Sequence, residues 1–271
     1  MAFFCPEGYK LFAEGMASAT PTRPTRIQKA IAASTAKQRM LKQLVCSDAP
    51  EQALRYCGFR MIAGVDEVGR GALFGPVVAA AVILPEKTAG LAKAGLRDSK
   101  QLLRKDRERL DRRIRRIALA ISVAEIDAET IDRVNIYQAT RIAMLQAVMG
   151  LPLEPDHLLI DAMRIDHPCH QTKLIYGDSL SLSIAAASVV AKVHRDALMR
   201  ELDMKHPGYG LASHKGYGTP QHRRALAEQG PTILHRRTFA PVKAVDRDAL
   251  LEDLVSGELF GPEEGADWVS D

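Results

Sequence analysis

The chain has 271 residues, of which 46% are hydrophobic and 26% are charged, and its formal net charge is +4 at pH 7. This length and apolar content suffice for one large or two small domains, while the longest apolar run, 77–84, is far too short for a membrane span. Charged residues where a signal peptide would be apolar, and cysteines without CxxC spacing, lead us to expect a cytoplasmic protein with reduced thiols.

The charge is unevenly distributed along the chain. Nine acidic residues and a single basic one, Arg247, fall in 244–271, which leaves residues 1–243 strongly basic. A basic body suggests a polyanionic partner such as nucleic acid, although a freely varying surface charge is an equal alternative. We divide the chain into an N-terminal extension (1–58), a central domain (59–243) and an acidic tail that is peripheral or disordered.

Hydrophobic periodicity, with glycine and proline as breaks, predicts the elements in chain order. The N-terminal extension contains a flexible joint at 17–26 and a weak helix near 27–45. The central domain alternates short apolar runs with amphipathic stretches, which predicts an α/β layered domain. Its predicted elements are strands at 61–65, 77–84, 122–126, 157–160 and 173–176, and helices at 102–120, 128–149 and 183–205.

Carboxylates stand at the ends of the predicted strands. Asp66 and Glu67 follow the first strand, Asp161 follows the strand at 157–160, and Asp178 comes shortly after the last strand. A buried carboxylate is costly unless a cation or hydrogen bonds satisfy it, and oxygen-only ligands suit Mg²⁺ or Mn²⁺ rather than zinc. Two such ions would allow in-line phosphoryl displacement. Asp178 taken alone could instead cap a loop.

The residues around Asp66 and Glu67 set conditions on the proposal that these two acids bind the same metal. Neighbouring strand residues point to opposite faces, so Asp66 and Glu67 serve one site only if the strand ends or twists there. The segment Gly69-Arg70-Gly71, which follows shortly after Glu67, could bind a phosphate beside the metal. These glycines do not form a dinucleotide-binding loop, because the third glycine of that pattern comes one residue late and a strand follows.

Two further polar stretches allow either a nucleic-acid contact or a structural role. The helix at 102–120 carries eight Arg and Lys residues on its polar face, which is more often a solvated face than a binding site. The loop at 206–219 interleaves Tyr217 with glycine and lysine, a combination in which rings stack on sugars or bases while cations hold phosphates. A purely structural glycine–tyrosine loop is an equal alternative.

Several of these motifs, taken in order, resemble the bacterial ribonuclease HII family. The resemblance covers roughly residues 60–243, and the combination of strings is highly specific. The matching strings are Gly64–Gly71, Asp98–Leu102, Leu159–Asp161, Gly177-Asp178, Ile184–Ser188, 191–193 with Arg195-Asp196, His206–His222 and His235–Val242.

The resemblance implies a fold, an activity and a cofactor. The fold would be α/β and ribonuclease H-like, a mixed five-stranded sheet flanked by helices, with a helical N-terminal extension and a C-terminal helical segment. The enzyme, a monomer, would use Mg²⁺ or Mn²⁺ to hydrolyse the RNA strand of RNA–DNA hybrids. It would also cut 5′ to single ribonucleotides embedded in duplex DNA, leaving a 3′-hydroxyl and a 5′-phosphate.

The resemblance also implies roles for individual residues. Gly69-Arg70-Gly71 would hold the 2′-hydroxyl and phosphate at the RNA–DNA junction, and Tyr217 would stack on the following deoxyribose. The metal-binding, catalytic acids would be Asp66, Glu67, Asp161 and Asp178, and the substrate-binding residues Gly69, Arg70, Gly71, Lys100, Lys192 and Tyr217.

Two other classes of protein remain open from the residues alone. A junction resolvase would share the metal chemistry, but Gly69-Arg70-Gly71 and Tyr217 argue against it. A metal-free nucleic-acid-binding module would be weakened by acids at the centre of a basic face, because negative charge repels phosphate without a cation.

Overall fold

The computed structural model describes residues 40 and 43–246. The chain forms two contact units, Met1–Leu44 and Val45–Asp271, and every element given below belongs to the second. The joint predicted at 17–26, and all but the end of the helix predicted near 27–45, lie outside the described residues. Domain boundaries at 58 and 243 stay predictions.

The described residues form five strands and eight α-helices, with 3₁₀ turns at Ser99–Gln101 and Gly177–Ser179. A further helical stretch, 240–246, reaches the end of the described range. The strands are β1 (Ile62–Val68), β2 (Val77–Ile83), β3 (Ala120–Ile126), β4 (His157–Asp161) and β5 (His170–Leu174). The helices are α1 (Ala49–Tyr56), α2 (Ala89–Lys93), α3 (Arg104–Ile117), α4 (Ala128–Val134), α5 (Ile136–Met149), α6 (Leu182–Lys205), α7 (Leu211–His214) and α8 (Pro220–Gln229).

The strands form one mixed sheet in the order β3-β2-β1-β4-β5. β1 lies at its centre, antiparallel to β2 and parallel to β4. β3 continues the antiparallel side and β5 the parallel side. The predicted mixed five-stranded sheet with flanking helices is therefore confirmed. Because β1 and β4 are parallel neighbours, residues near their carboxyl ends lie at the same edge of the sheet.

Helices cover both faces of this sheet, since alternate strand residues point to opposite sides. On one face Val65 of β1 and Ile160 of β4 pack with Met144 of α5. On the other, Ala80 of β2 packs with Leu110 of α3 and small residues of α6. Both faces of β2 are fully buried, which explains why this strand is apolar throughout.

α6 lies directly against β1 because Gly64 has no side chain. A Cβ at Gly64 would stand 2.0 Å from the carbonyl carbon of Ser183. The start of α6 is fixed by Glu51 of α1, whose Oε1 accepts from Ser181 Oγ at 2.6 Å and from the Ser183 amide at 2.8 Å. Thus α1, which precedes residue 58, contacts the helix that carries much of the core.

The helix predicted at 128–149 is wrong as a single element. Asn135 adopts a left-handed φ of 68° and ends α4. Its side chain accepts from the amides of Tyr137 and Gln138, at 3.0 and 3.1 Å, and so starts α5. Asparagine caps helices well, so a local cap divides a continuous apolar pattern.

The last predicted strand is shifted. Instead of 173–176, β5 spans His170–Leu174, and Tyr176 has a left-handed φ of 60°. β5 is held in register by β4, with Asp161 opposite Leu174. The pairing with β4, which the local sequence does not show, sets the strand four residues before Asp178.

Candidate active site

Asp66 lies within β1, not after it. The sequence placed the strand end before Asp66, and this is wrong: β1 continues to Val68, with Asp66 and Glu67 opposite Ala80 and Ala79 of β2. The small alanines let β2 pair along the whole segment. Asp66 is only 4% exposed and shares the α6 face with Gly64. Glu67 belongs by alternation to the other face, yet its carboxylate comes close enough to Asp66 to raise the pKa of that acid.

Asp161 and Asp178 come together through a turn of the chain. Asp161 is the last residue of β4, and its Oδ1 accepts from the amide of Gly177 at 2.8 Å. That hydrogen bond ties the 3₁₀ turn Gly177–Ser179 to the end of β4. Asp178, which lies in the turn, is buried. The neighbouring fourth acid is thus delivered by a turn rather than by a strand end.

All four carboxyl groups have raised pKa values, and burial is the main cause for each. The pKa of Asp66 is raised well above its usual range by burial and by Glu67, Asp161 and Asp178. Burial and Asp161 raise the pKa of Glu67 against the opposing effect of Arg70. Burial raises the pKa of Asp161, and burial together with Asp98 raises that of Asp178 to about 7. The acids are therefore close enough to repel one another.

Two cations lie at the edge of this acidic group. Arg70 Nη1 is 3.3 Å from Glu67 Oε1, and Lys100 Nζ is 3.9 Å from Asp178 Oδ2. Burial opposes ionisation of Lys100, but the field of Asp66, Asp178 and other acids raises its pKa overall. The side chains still keep 43% (Arg70) and 78% (Lys100) of their surface in solvent, so they offset only part of the negative charge.

The donor chemistry of the group fits a hard divalent cation. Its donors are all carboxylate oxygens, and Glu67 Oε2 is buried without a hydrogen-bond partner in the described part of the chain. Within residues 40 and 43–246, no three His, Cys, Asp or Glu side chains already stand in metal-binding geometry. Charge and donor type, rather than a preformed geometry, are the grounds on which a metal ion can be assigned here. The residues therefore fit Mg²⁺ or Mn²⁺ by charge and donor type.

The sequence reasoning missed a serine pair behind Asp66. Ser188 of α6 lies close enough to the Asp66 carboxylate to lower its pKa, against the larger effect of burial. Ser99 Oγ lies 2.9 Å from Ser188 Oγ, and both serines are buried. The run of small residues that begins α6 was the available signal, since it brings this helix close enough for a serine to reach β1.

The two glycines around Arg70 have different surroundings. Gly69 has a φ of 94°, and a Cβ there would stand 2.3 Å from Nε of Arg195. Gly71 has no atom within 4 Å of its Cβ position. The protein's own packing thus requires a glycine at position 69, whereas position 71 faces open space that a substrate can enter.

The contacts of Tyr217 and Lys192 are with residues other than the four acids. Tyr217 is half-buried, forms a β-bridge with Ala72, and has its ring centroid 5.7 Å from Cζ of Arg195. The structure thus brings Tyr217 to the Gly69-Arg70-Gly71 loop. Lys192 lies on α6, one helical turn beyond Ser188. Its Nζ pairs with Asp196 at 2.6 Å.

A mixed sheet in this strand order, with acids on its adjacent central strands β1 and β4, defines a protein of the ribonuclease H-like fold. The solved ribonuclease H2 of Pyrococcus horikoshii OT3 has this fold: the TM-score is 0.61 at 24% identity, over 69% of this chain and 97% of that one. Bst-RNase HIII, solved in complex with Mn²⁺, matches with a TM-score of 0.53 at 23% identity, over 77% and 72%.

The family model described as Ribonuclease HII matches residues 63–242. The ribonuclease HII of Koribacter versatilis (strain Ellin345) is 55% identical over 214 residues, which cover 79% of this chain and 83% of that protein. The chain belongs to the ribonuclease HII family. It is therefore a ribonuclease H, a hydrolase of the nuclease class, and the resemblance stated from the motifs is confirmed. None of the described helices is long and apolar enough to cross a membrane.

Proposed function

We propose that this protein cuts the RNA strand of RNA–DNA hybrids and cuts 5′ to single ribonucleotides embedded in duplex DNA. The reaction is two-metal-ion phosphodiester hydrolysis that leaves a 3′-hydroxyl and a 5′-phosphate, and the protein acts as a monomer. The observation that carries the proposal is the group of four acids Asp66, Glu67, Asp161 and Asp178, of which Asp66 and Asp178 are buried and the other two half-buried. All four have raised pKa values and only partial compensation by cations.

These four acids would hold Mg²⁺ or Mn²⁺. Glu67 Oε2, buried without a partner among the described residues, is a free ligand atom. The Gly177 amide orients Asp161 through a hydrogen bond, and Ser188 lies close enough to Asp66 to lower its pKa. When bound, such ions activate a water molecule and stabilise the leaving oxygen. A solved relative in fold, Bst-RNase HIII, carries Mn²⁺, and the donor set here suits that ion equally.

Recognition of the ribonucleotide would fall to the loop at 69–71 and to Tyr217. The 2′-hydroxyl is the group by which a protein distinguishes RNA from DNA at a given position. Open space at Gly71 lets the backbone approach a sugar, and the β-bridge between Ala72 and Tyr217 places the aromatic ring beside that loop. Arg70 and Lys100, both exposed at the edge of the acids, would contact phosphates together with Lys192.

The test uses a labelled duplex that contains one ribonucleotide, incubated with Mg²⁺, Mn²⁺ or EDTA. An all-deoxy duplex of the same sequence and a four-way junction serve as matched substrates. We expect a single cut 5′ to the ribonucleotide, only with metal. Cleavage of the junction but not of the ribonucleotide duplex would favour a resolvase. Metal-independent binding without any cleavage would favour a binding module. Either result contradicts the proposal.

A further inference from the structure

Two fully buried arginines lie behind the loop that runs from Gly69 to Pro76. Arg195 donates to the carbonyl oxygens of Phe74, Pro76 and Lys215 at 2.9–3.1 Å. Arg236 donates through Nε to the carbonyl of Gly75 at 3.0 Å and through Nη1 to the carbonyl of Arg70 at 2.9 Å. Both guanidinium groups are 0% exposed.

Burial of the charged Arg236 side chain costs folding free energy. Neither Arg236 nor Arg195 forms a salt bridge with any acid in the part of the chain that the structure describes. Nη2 of Arg236 is buried without a hydrogen-bond partner there. Burial, followed by the nearby charge of Arg195, lowers the pKa of Arg236 to about 9. A buried, uncompensated charge disfavours the folded state, so stability alone does not account for this residue.

The bond to the carbonyl of Arg70 sets the direction of one peptide group. The carbonyl of Arg70 and the amide N–H of Gly71 belong to the same peptide unit, and no peptide bond in the described residues is cis. In a trans peptide these two groups point in opposite directions. Because the carbonyl points inward to Arg236, the Gly71 N–H points outward.

The outward-pointing Gly71 N–H is accessible to a ligand. No described residue accepts a hydrogen bond from this amide, whereas the next amides, Ala72 and Leu73, bond to Gly69 and Gly216. The Cβ position of Gly71 is open to at least 4 Å. The outward Gly71 donor therefore stands at the edge of the acidic site.

We propose that Arg236 is a positioning residue for ribonucleotide recognition: it touches no substrate, but its guanidinium holds the Arg70–Gly71 peptide so that the Gly71 amide donates outward to the 2′-hydroxyl. This inference rests on the proposed function. It assigns to a residue 166 positions away in the chain the orientation of a substrate-binding amide. The fork of arginine is needed, because Nε and Nη1 hold two carbonyls at once and a lysine reaches only one.

The variant Arg236→Lys keeps the charge and removes the fork. Its matched control is Arg237→Lys, the same change at an exposed neighbour that pairs with Asp246. In Mg²⁺, KM is measured for a single-ribonucleotide duplex, and Ki for the all-deoxy duplex as competitor. We expect the ratio of Ki to KM to fall by about three- to tenfold in Arg236→Lys, the worth of one hydrogen bond, and to stay unchanged in the control.

A purely structural role predicts a different result. A destabilised protein has a smaller active fraction and a lower melting temperature, but the molecules that remain folded keep the same ratio of Ki to KM. An unchanged ratio in folded Arg236→Lys overturns the proposal. If the unchanged protein does not cut the ribonucleotide duplex at all, the proposed function fails instead.

A second measurement does not depend on cleavage. The ¹H–¹⁵N signal of the Gly71 amide is recorded in the substrate-free protein for the unchanged chain and both variants. We expect this signal to move or broaden in Arg236→Lys and to stay in place in Arg237→Lys. The same signal in the unchanged protein should move on addition of the ribonucleotide duplex and not of the all-deoxy duplex. If the Gly71 signal keeps the same position and width in Arg236→Lys, the role assigned to Arg236 is overturned.

Discussion

Gly64 of β1 and Ser183 of α6 meet backbone to backbone, with the Cβ position of Gly64 2.0 Å from the Ser183 carbonyl carbon. Asp66 lies two residues further along β1 than Gly64, and Ser188 lies five residues further along α6 than Ser183. At the usual rise per residue of a strand and of a helix, both are about 7 Å from the contact. The hydroxyl of Ser188 therefore reaches the Asp66 carboxylate. The close approach at Gly64 thus brings Ser188 near Asp66, one of the acids proposed to bind metal.

Replacement Gly64→Ala should destabilise the protein severely. The added methyl meets backbone atoms of α6 that have no rotamer to change, so strand and helix must separate. We expect a loss of about 3 kcal/mol or more in the free energy of unfolding, measured by urea denaturation. A variant with an unchanged urea midpoint would contradict the observed contact.

Replacement Gly71→Ala should leave stability nearly unchanged, within about 0.5 kcal/mol, because no atom lies near the added methyl. We expect cleavage of the single-ribonucleotide duplex to fall by about ten- to a hundredfold, since the methyl displaces the sugar from the acids. Gly69→Ala is the matched control, and it should lose stability because of Arg195. Full activity in Gly71→Ala would remove Gly71 from the substrate site.

Replacement Asp66→Asn should abolish cleavage and raise stability in EDTA. The buried Asp66 carboxylate is repelled by the other acids, so its neutral isostere removes an unfavourable charge while keeping the shape. Mg²⁺ should raise the melting temperature of the unchanged protein, and do so less in Asp66→Asn. Asp106→Asn, at a partly exposed acid paired with Arg109, is the control. Asp66 is not a metal ligand if folded Asp66→Asn cuts at a near-normal rate.

Replacement Tyr217→Ala should weaken cleavage by roughly ten- to a hundredfold, because stacking contacts are worth about 1–3 kcal/mol. Tyr217→Phe should keep most activity, since the ring face rather than the hydroxyl makes the contact. The measurement compares a single-ribonucleotide duplex with a continuous RNA–DNA hybrid. Equal losses on both substrates, together with a lower melting temperature, would instead assign Tyr217 to loop packing against Arg195.

The buried pair His222 and His235 should make the protein less stable in acid. The Thr232 amide donates to Nδ1 of His235, so the proton on Nε2 donates to His222 and both rings are neutral. Burial lowers the pKa of His235 to about 3 and also lowers that of His222.

Because the unfolded chain binds these protons near pH 6.5, its proton uptake exceeds that of the folded protein between about pH 6.5 and 3. The free energy of unfolding should therefore fall as the pH falls through that window. Urea titrations at pH 7 and 5 should show a smaller fall in His235→Asn than in the unchanged protein. Equal falls would mean that His235 is protonated in the folded state.

Local pattern was sufficient for much of the fold, whereas the metal-binding role of the acids stays a prediction. The apolar runs of β1, β2 and β4 and the acids next to them can be read from the sequence. In the structure, Asp66, Glu67, Asp161 and Asp178 are near enough to affect one another's pKa values. Local pattern was insufficient where pairing or a cap sets an element's bounds. β1 extends past its acids because Ala79 and Ala80 pair with them.

The sequence by itself determined the element types, the family and the candidate ligand atoms, because these depend on residue chemistry and short-range periodicity. Only the tertiary structure decided which glycine packs against the protein and which faces open space, and that Ser188 reaches Asp66. It alone placed Arg236 beneath the Arg70 carbonyl, across 166 residues of chain. Such contacts come from the packing of distant segments, and the physical reason is that a backbone carbonyl carries no mark in the sequence of the side chain that will hold it.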